Sequence, residues 1–162
     1  MATTGAMPTT AASVKVSTGT VIKTLLQIQT SATRPLLVTE WGISFDGNVA
    51  NVPIQVELID TYAIAATVTA HVAAGVQAFD ALSDTPASTV TLGTGATGYN
   101  ASAEGTITQT RYGDLQLVAP TNQYVKQFPL GREFYLPVSH NLRVRVTSAT
   151  SVNAYAYVIW QE

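Results

Sequence analysis

The chain predicts an all-β fold, a single-domain antiparallel β-sandwich of jelly-roll-like type. Three observations lead there. Short runs alternate apolar and polar residues with period two, as in LRVRV (142–146) and IQVEL (54–58). Turn signals rich in Pro, Gly, Asn and Asp punctuate these runs every dozen residues or so. Hydrophobic residues make up 46% of the 162, enough for one core, while charged residues are only 11% against an ordinary value of about 25%.

Residues 1–13 are small and polar and read as a flexible N-terminal arm, followed by a β-sandwich domain over 14–162. A short alternation at 14–17 precedes a strand over 21–30, with Ile22, Leu26 and Ile28 in one phase. Leu36 to Phe45 is the strongest internal strand, placing Leu37, Thr39, Trp41, Ile43 and Phe45 in one phase. Gly42 in its middle predicts a bulge or a close approach by another backbone. After the Asp46-Gly47-Asn48 turn comes Ile54 to Leu58, read as pairing antiparallel with the strand before it, with Glu40 and Glu57 both outward. The Ala-rich segment that follows suggests a strand near 65–71 and a turn or helical piece near 75–82. Residues 83–105, dense in Gly, Ser, Thr and Ala, read as a long loop with a strand near 88–92. Further strands are expected over 105–111, 115–118, 123–128 and 131–136. The chain closes on Leu142 to Glu162, read as a β-hairpin broken at Ser148-Ala149-Thr150-Ser151. An immunoglobulin-like sandwich is the second choice, because such domains run to about 100 residues and carry a Cys–Trp–Cys pattern missing here.

Several chemistries lack their residues. There is no Cys, hence no disulfide, thiolate site or Cys nucleophile. His71 and His140 stand in no metal-ligand spacing, and no GxSxG elbow is present. Gly93 to Gly98 mimics GxGxxG but opens no helix. The loop carboxylates Asp46, Asp80, Asp84 and Asp114 lack calcium-loop spacing. No cofactor, metal or catalytic residue is therefore expected. With a net charge of −2 and no basic patch, nucleic acid is not an expected partner. No apolar run reaches the 18 or so residues of a membrane span, and no secretory leader is visible at residue 1.

The informative side chains lie in the closing strands. If Val152, Val158 and Trp160 face the core, then Tyr155, Tyr157 and Ile159 face outward, and Arg143 and Arg145 occupy an outer face of the neighbouring strand. Tyr and Arg are favoured interface residues, so these five are the candidate subunit or shell contacts. The opposite assignment, with the tyrosines in the core, stands open beside it, since Ala154 and Ala156 fill a core poorly.

The segments LLVTEWGISFDG (36–47), YVKQFPLGREFYLP (124–137) and LRVRVTSATSVNAYAYVIWQE (142–162) resemble those of head decoration, or cement, proteins of tailed bacteriophages. The resemblance implies a jelly-roll-like virion protein without enzyme activity. It would form homotrimers on the capsid exterior, bind the major capsid protein and pass through the host cytoplasm before assembly. Two other classes compete. A carbohydrate- or receptor-binding module would stack sugars on Tyr99, Tyr112 and Tyr124, and a β-sandwich hydrolase would pair Glu40 with Glu57.

Overall fold

The computed structural model describes residues 1–5, 13–49, 52–79 and 87–162. Its strands are β1 (Ala2–Thr3), β2 (Val16–Ser17), β3 (Lys23–Gln29), β4 (Leu36–Phe45), β5 (Ile54–Asp60), β6 (Thr67–Ala70), β7 (Gly98–Ala103), β8 (Arg111–Val118), β9 (Gln123–Gln127), β10 (Phe134–Leu136), β11 (Asn141–Thr147) and β12 (Asn153–Gln161). They form two antiparallel sheets packed face to face. The front sheet runs β1-β12-β4-β10, with β2 also on β12 and β9 also on β4; the rear sheet runs β6-β7-β3-β11-β5-β8.

Eight of these strands trace a jelly roll. In chain order β2, β3, β4, β5, β8, β9, β11 and β12 lie front, rear, front, rear, rear, front, rear, front. They pair as β2-β12-β4-β9 and as β3-β11-β5-β8, a double Greek key. The pair β6–β7, inserted between β5 and β8, extends the rear sheet beyond β3.

Inward residues of both layers make one core: Val38, Trp41 and Ile43 of β4 and Val158 of β12 face Leu26, Ile28, Val56, Leu58, Leu142 and Val144 of the rear sheet. Burying each such side chain contributes about 1.5–3 kcal/mol. Ala154 and Ala156 are core residues as well, so β12 buries its small-residue phase and turns its tyrosines outward.

Five expectations are corrected. First, Leu142 to Glu162 is not a hairpin: β11 pairs with β3 and β5, and β12 with β1, β2 and β4, so the link at 148–152 arches from one sheet to the other. Second, β4 and β5 do not pair but lie in opposite sheets. Third, the phase of β4 changes within the strand. Ile159 faces Glu40 and Trp160 faces Val38, leaving Thr39 as the extra residue of a bulge. Leu36 and Val38 are therefore buried and Leu37 is exposed.

Fourth, the stretch Gly98–Ala103 of the expected 83–105 loop is β7, an internal strand of the rear sheet. Its composition reads as loop, yet Gly98 is what lets it fit: a Cβ there would overlap the Thr69 carbonyl of β6. Residues 83–86 lie outside the described residues, and 87–90 carry no strand. Conversely, the expected strand over 105–111 is irregular up to Arg111. Fifth, the first five residues of the expected flexible arm are docked, with Thr4 N–H donating to the Ala156 carbonyl at 2.8 Å. Residues 6–12 lie outside the described residues. The helical piece is a single turn at Ala73–Gly75, earlier than expected.

Candidate interaction face

The outer face of the front sheet gathers Tyr155, Tyr157 and Ile159 of β12 with Leu37, Glu40, Gly42 and Ser44 of β4. Val125 and Gln127 of β9 and Tyr135 of β10 complete it. Glu40 is the one charged residue at the outward strand positions described. Val125, at 50% exposure, is the most open of the apolar members.

Gly42 organises this face. It stands opposite Tyr157 in the β4–β12 register, and a Cβ added to it would lie 2.5 Å from the tyrosine ring. The close approach expected at Gly42 is thus made by a ring and not by another backbone. Lying flat over the glycine, the ring reaches its hydroxyl to Glu40 Oε1. Gln127 donates to the other oxygen of the same carboxylate at 2.7 Å. Burial, and then Glu40, pushes the Tyr157 phenol up to about 12. Tyr155 donates to the Ser13 carbonyl. A depression of about 460 Å³ opens between Tyr155, Tyr157, Val125, Gln123 and the docked N-terminal residues Thr3 and Thr4.

The two arginines expected to share an interface with these tyrosines lie on the far side of the molecule, and neither is free at the surface. Arg143 and Arg145 point away from the core on the outer side of the rear sheet, where Ile64 and Glu104 close over Arg143 and Glu57 of the adjacent β5 engages Arg145. Arg143 is 0% exposed. It donates to the Glu104 carbonyl at 2.9 Å, to Glu104 Oε2 at 3.2 Å and to the Ile64 carbonyl. Glu104 in turn accepts from Thr24 N–H at 2.5 Å and Thr24 Oγ1 at 2.6 Å. Arg145 Nε donates to Glu57 at 2.6 Å, and Gln55 donates to the same carboxylate. The outward phase assigned to both arginines holds, but each is already engaged by its own chain.

Glu40 and Glu57 lie on opposite outer faces with the core between them, so the paired-carboxylate arrangement of a glycosidase is not assembled. Of the three tyrosines considered for sugar stacking, Tyr112 alone is largely exposed. Tyr124 packs on Trp41, with ring centroids 5.5 Å apart, and donates to Asp114 at 2.8 Å. Tyr99 packs on His71 at 5.0 Å. Asp46 is held by Lys15 at 2.7 Å and by Asn153, while Asp80 and Asp84 lie outside the described residues. Among the described residues no three His, Asp or Glu side chains converge as a metal site.

His140 is bound through Nδ1 to the buried Asp60 at 2.9 Å, and Arg111 reaches the same carboxylate at 3.2 Å. Tyr62 (φ 54°) and Ser139 (φ 58°) beside it both adopt left-handed backbone. This cluster ties the end of β5 to the turn before β11. No protein-family model, curated protein or solved structure shows significant similarity to the chain.

Proposed function

We propose that this protein is a structural subunit of a bacteriophage virion. In this reading it is a decoration, or cement, protein that self-associates as a trimer on the capsid exterior and clamps neighbouring capsid subunits. The observation that supports it best is the open, nearly uncharged outer face of the front sheet, where aromatic and aliphatic groups surround one carboxylate that is already bonded within the chain. Such a face suits a partner surface better than free solvent. Jelly rolls serve in viral shells and in lectins alike, so the fold by itself does not choose between those roles. Binding that favours the assembled shell over free subunits would stabilise the particle by linkage.

Light scattering on the full chain tests self-association, with an expected mass three times the 17.1 kDa chain. Val125→Asp should return the mass to a monomer while leaving the fold intact. Adding the protein back to shells that lack it tests the cement role. Shells that survive heating equally well with and without it would overturn that role.

A second reading, a glycan-binding module of the particle, is favoured by a groove of about 1170 Å³. Phe79, Phe128 and Trp160 line it together with Arg34, Gln127 and Gln161. Aromatic faces beside planar amides suit sugar rings and hydroxyls. A glycan array without signal would remove this reading.

A further inference from the structure

The docked N-terminal strand is pegged by a histidine whose surroundings favour the neutral ring. His71, just after β6, is 3% exposed. Its Nε2 lies 2.8 Å from the Thr3 carbonyl of β1. A carbonyl only accepts, so Nε2 carries the proton and Nδ1 is bare in the neutral ring. Nδ1 faces Gly75, where even a Cβ would overlap it. Tyr99 covers the ring from β7.

The rest of the hold on β1 is short in length. It is two residues long, pairs with Tyr157 and Val158, and bridges to Val76. Backbone bonds run from Thr4 to Ala156 and from Gln77 to Met1, Thr4 Oγ1 accepts from Ala156 N–H at 2.9 Å, the Met1 ammonium donates to the Gln77 carbonyl, and Ala2 is buried in the core. A second proton on His71 would place an unpaired charge in this buried site. The elements packed on the ring bring no carboxylate to it among the described residues. The strand β1 brings the Met1 α-amino group, β7 brings the Tyr99 phenol, and the Ala73–Gly75 turn brings no charge.

We infer that β1 is an acid-released strand: protonation of His71 expels it from between β12 and the segment 71–77 and bares the backbone edge of β12 at Ala156–Val158. An edge bared in this way can accept an extended strand from another chain.

The sign follows from the burial. Burial holds His71 below its ordinary value, partly opposed by the Thr3 carbonyl. The docked state therefore binds fewer protons than the released one. The His71 contribution to docking is fully present above about pH 6.5 and is lost as the pH falls from there through the docked value. The Met1 α-amino group, brought down to about 6 by burial and partly held up by Glu162, acts in the same direction.

Amide hydrogen exchange on the full chain provides the test. After correction for intrinsic rates, protection of the Thr4 and Gln77 amides should fall about tenfold between about pH 7.5 and pH 5.5, while β5 and β11 amides keep theirs. The His71 ring titration, followed by NMR in the wild-type chain, should share its midpoint with that loss. His71→Gln keeps an N–H donor for Thr3 without a titrating ring, and should make the loss shallower by the His71 share, leaving the share of the Met1 α-amino group. Thr4 protection that follows the core amides into acid would overturn the inference. So would a His71 ring that stays neutral through the loss, or a loss in His71→Gln as deep as in the wild type.

Discussion

The outer faces of the two sheets are written in the same period-two alternation and meet opposite fates. On the rear sheet the outward residues of β11 are two arginines: the chain returns over Arg143, whose terminal N–H groups go to the carbonyls of Ile64 and Glu104 and to the Glu104 carboxylate, while Arg145 pairs with Glu57 of the neighbouring β5. On the front sheet the outward residues of β12 are two tyrosines and an isoleucine, and less of the chain returns. Their polar ends find partners at Glu40 and Ser13 while the rings and methyls stay partly open. The difference teaches that charge at an outward position does not mark a binding surface. A guanidinium can be as deeply sealed by its own chain as a core leucine, as Arg143 is.

The comparison can be broken most forcefully at Arg143. Replacing it with Ala leaves the Glu104 carboxylate and two carbonyls without their buried donor, and should lower the unfolding free energy by about 3 kcal/mol in a urea titration. Arg143→Lys should recover little of this, because one ammonium cannot reproduce the planar fork. A loss near zero would mean that the rear face is open after all.

A smaller effect is expected at Gly42. Its Val variant drives the Tyr157 ring off β4 and should cost about 2 kcal/mol. Most of that cost should disappear in a Tyr157→Ala background, since the clash is with the ring. Additive costs would show that the ring does not rest on the glycine.

Asp114 sharpens the comparison from a point on neither outer face. It bridges the sheets at the β8 and β9 edges, taking bonds from Tyr124 at 2.8 Å and Gln116 at 3.1 Å, with Lys126 at 3.5 Å. Burial opposes its ionisation, but these bonds and the lysine together hold the carboxyl below its ordinary value. Its contribution is therefore present above about pH 4 and lost as the pH falls through the lowered value. Asp114→Asn should cost about 1 kcal/mol at neutral pH and weaken the acid dependence of the unfolding midpoint. An acid limb identical to that of the wild type would remove the bridge from the account. The smallest stability change is expected for Val125→Asp, within about 0.5 kcal/mol, although its effect on solution mass should be the clearest.

Much of this molecule was legible from residue order. Strand periodicity located β4, β5, β9, β11 and β12 within a residue or two, because alternating side chains must face alternate sides. That Tyr155, Tyr157 and Ile159 share one phase was legible for the same reason, but the burial of Ala154 and Ala156 is what turns that phase outward. Two features of the candidate face were not. Nothing local announced the bulge at Thr39, which turns Leu37 out and Val38 in, since it exists only against the register of β12. Nor did Val125 stand out, although the alternation of 123–127 against β4 is the signal that places it beside Gly42.

By itself, then, the order of residues determined the class of fold, the alternation of each strand and which of its side chains share a side. Strand partners, and what covers each outer face, were decided in three dimensions. Period two is silent about which strand lies alongside. The polar link Ser148–Ser151 spans at most about 13 Å, long enough either to fold β12 back beside β11 or to cross the roughly 10 Å between packed sheets. Here β3 and β5 occupy both edges of β11, so β12 has to cross, and the tyrosines and arginines that are close in the chain finish on opposite sides of the core.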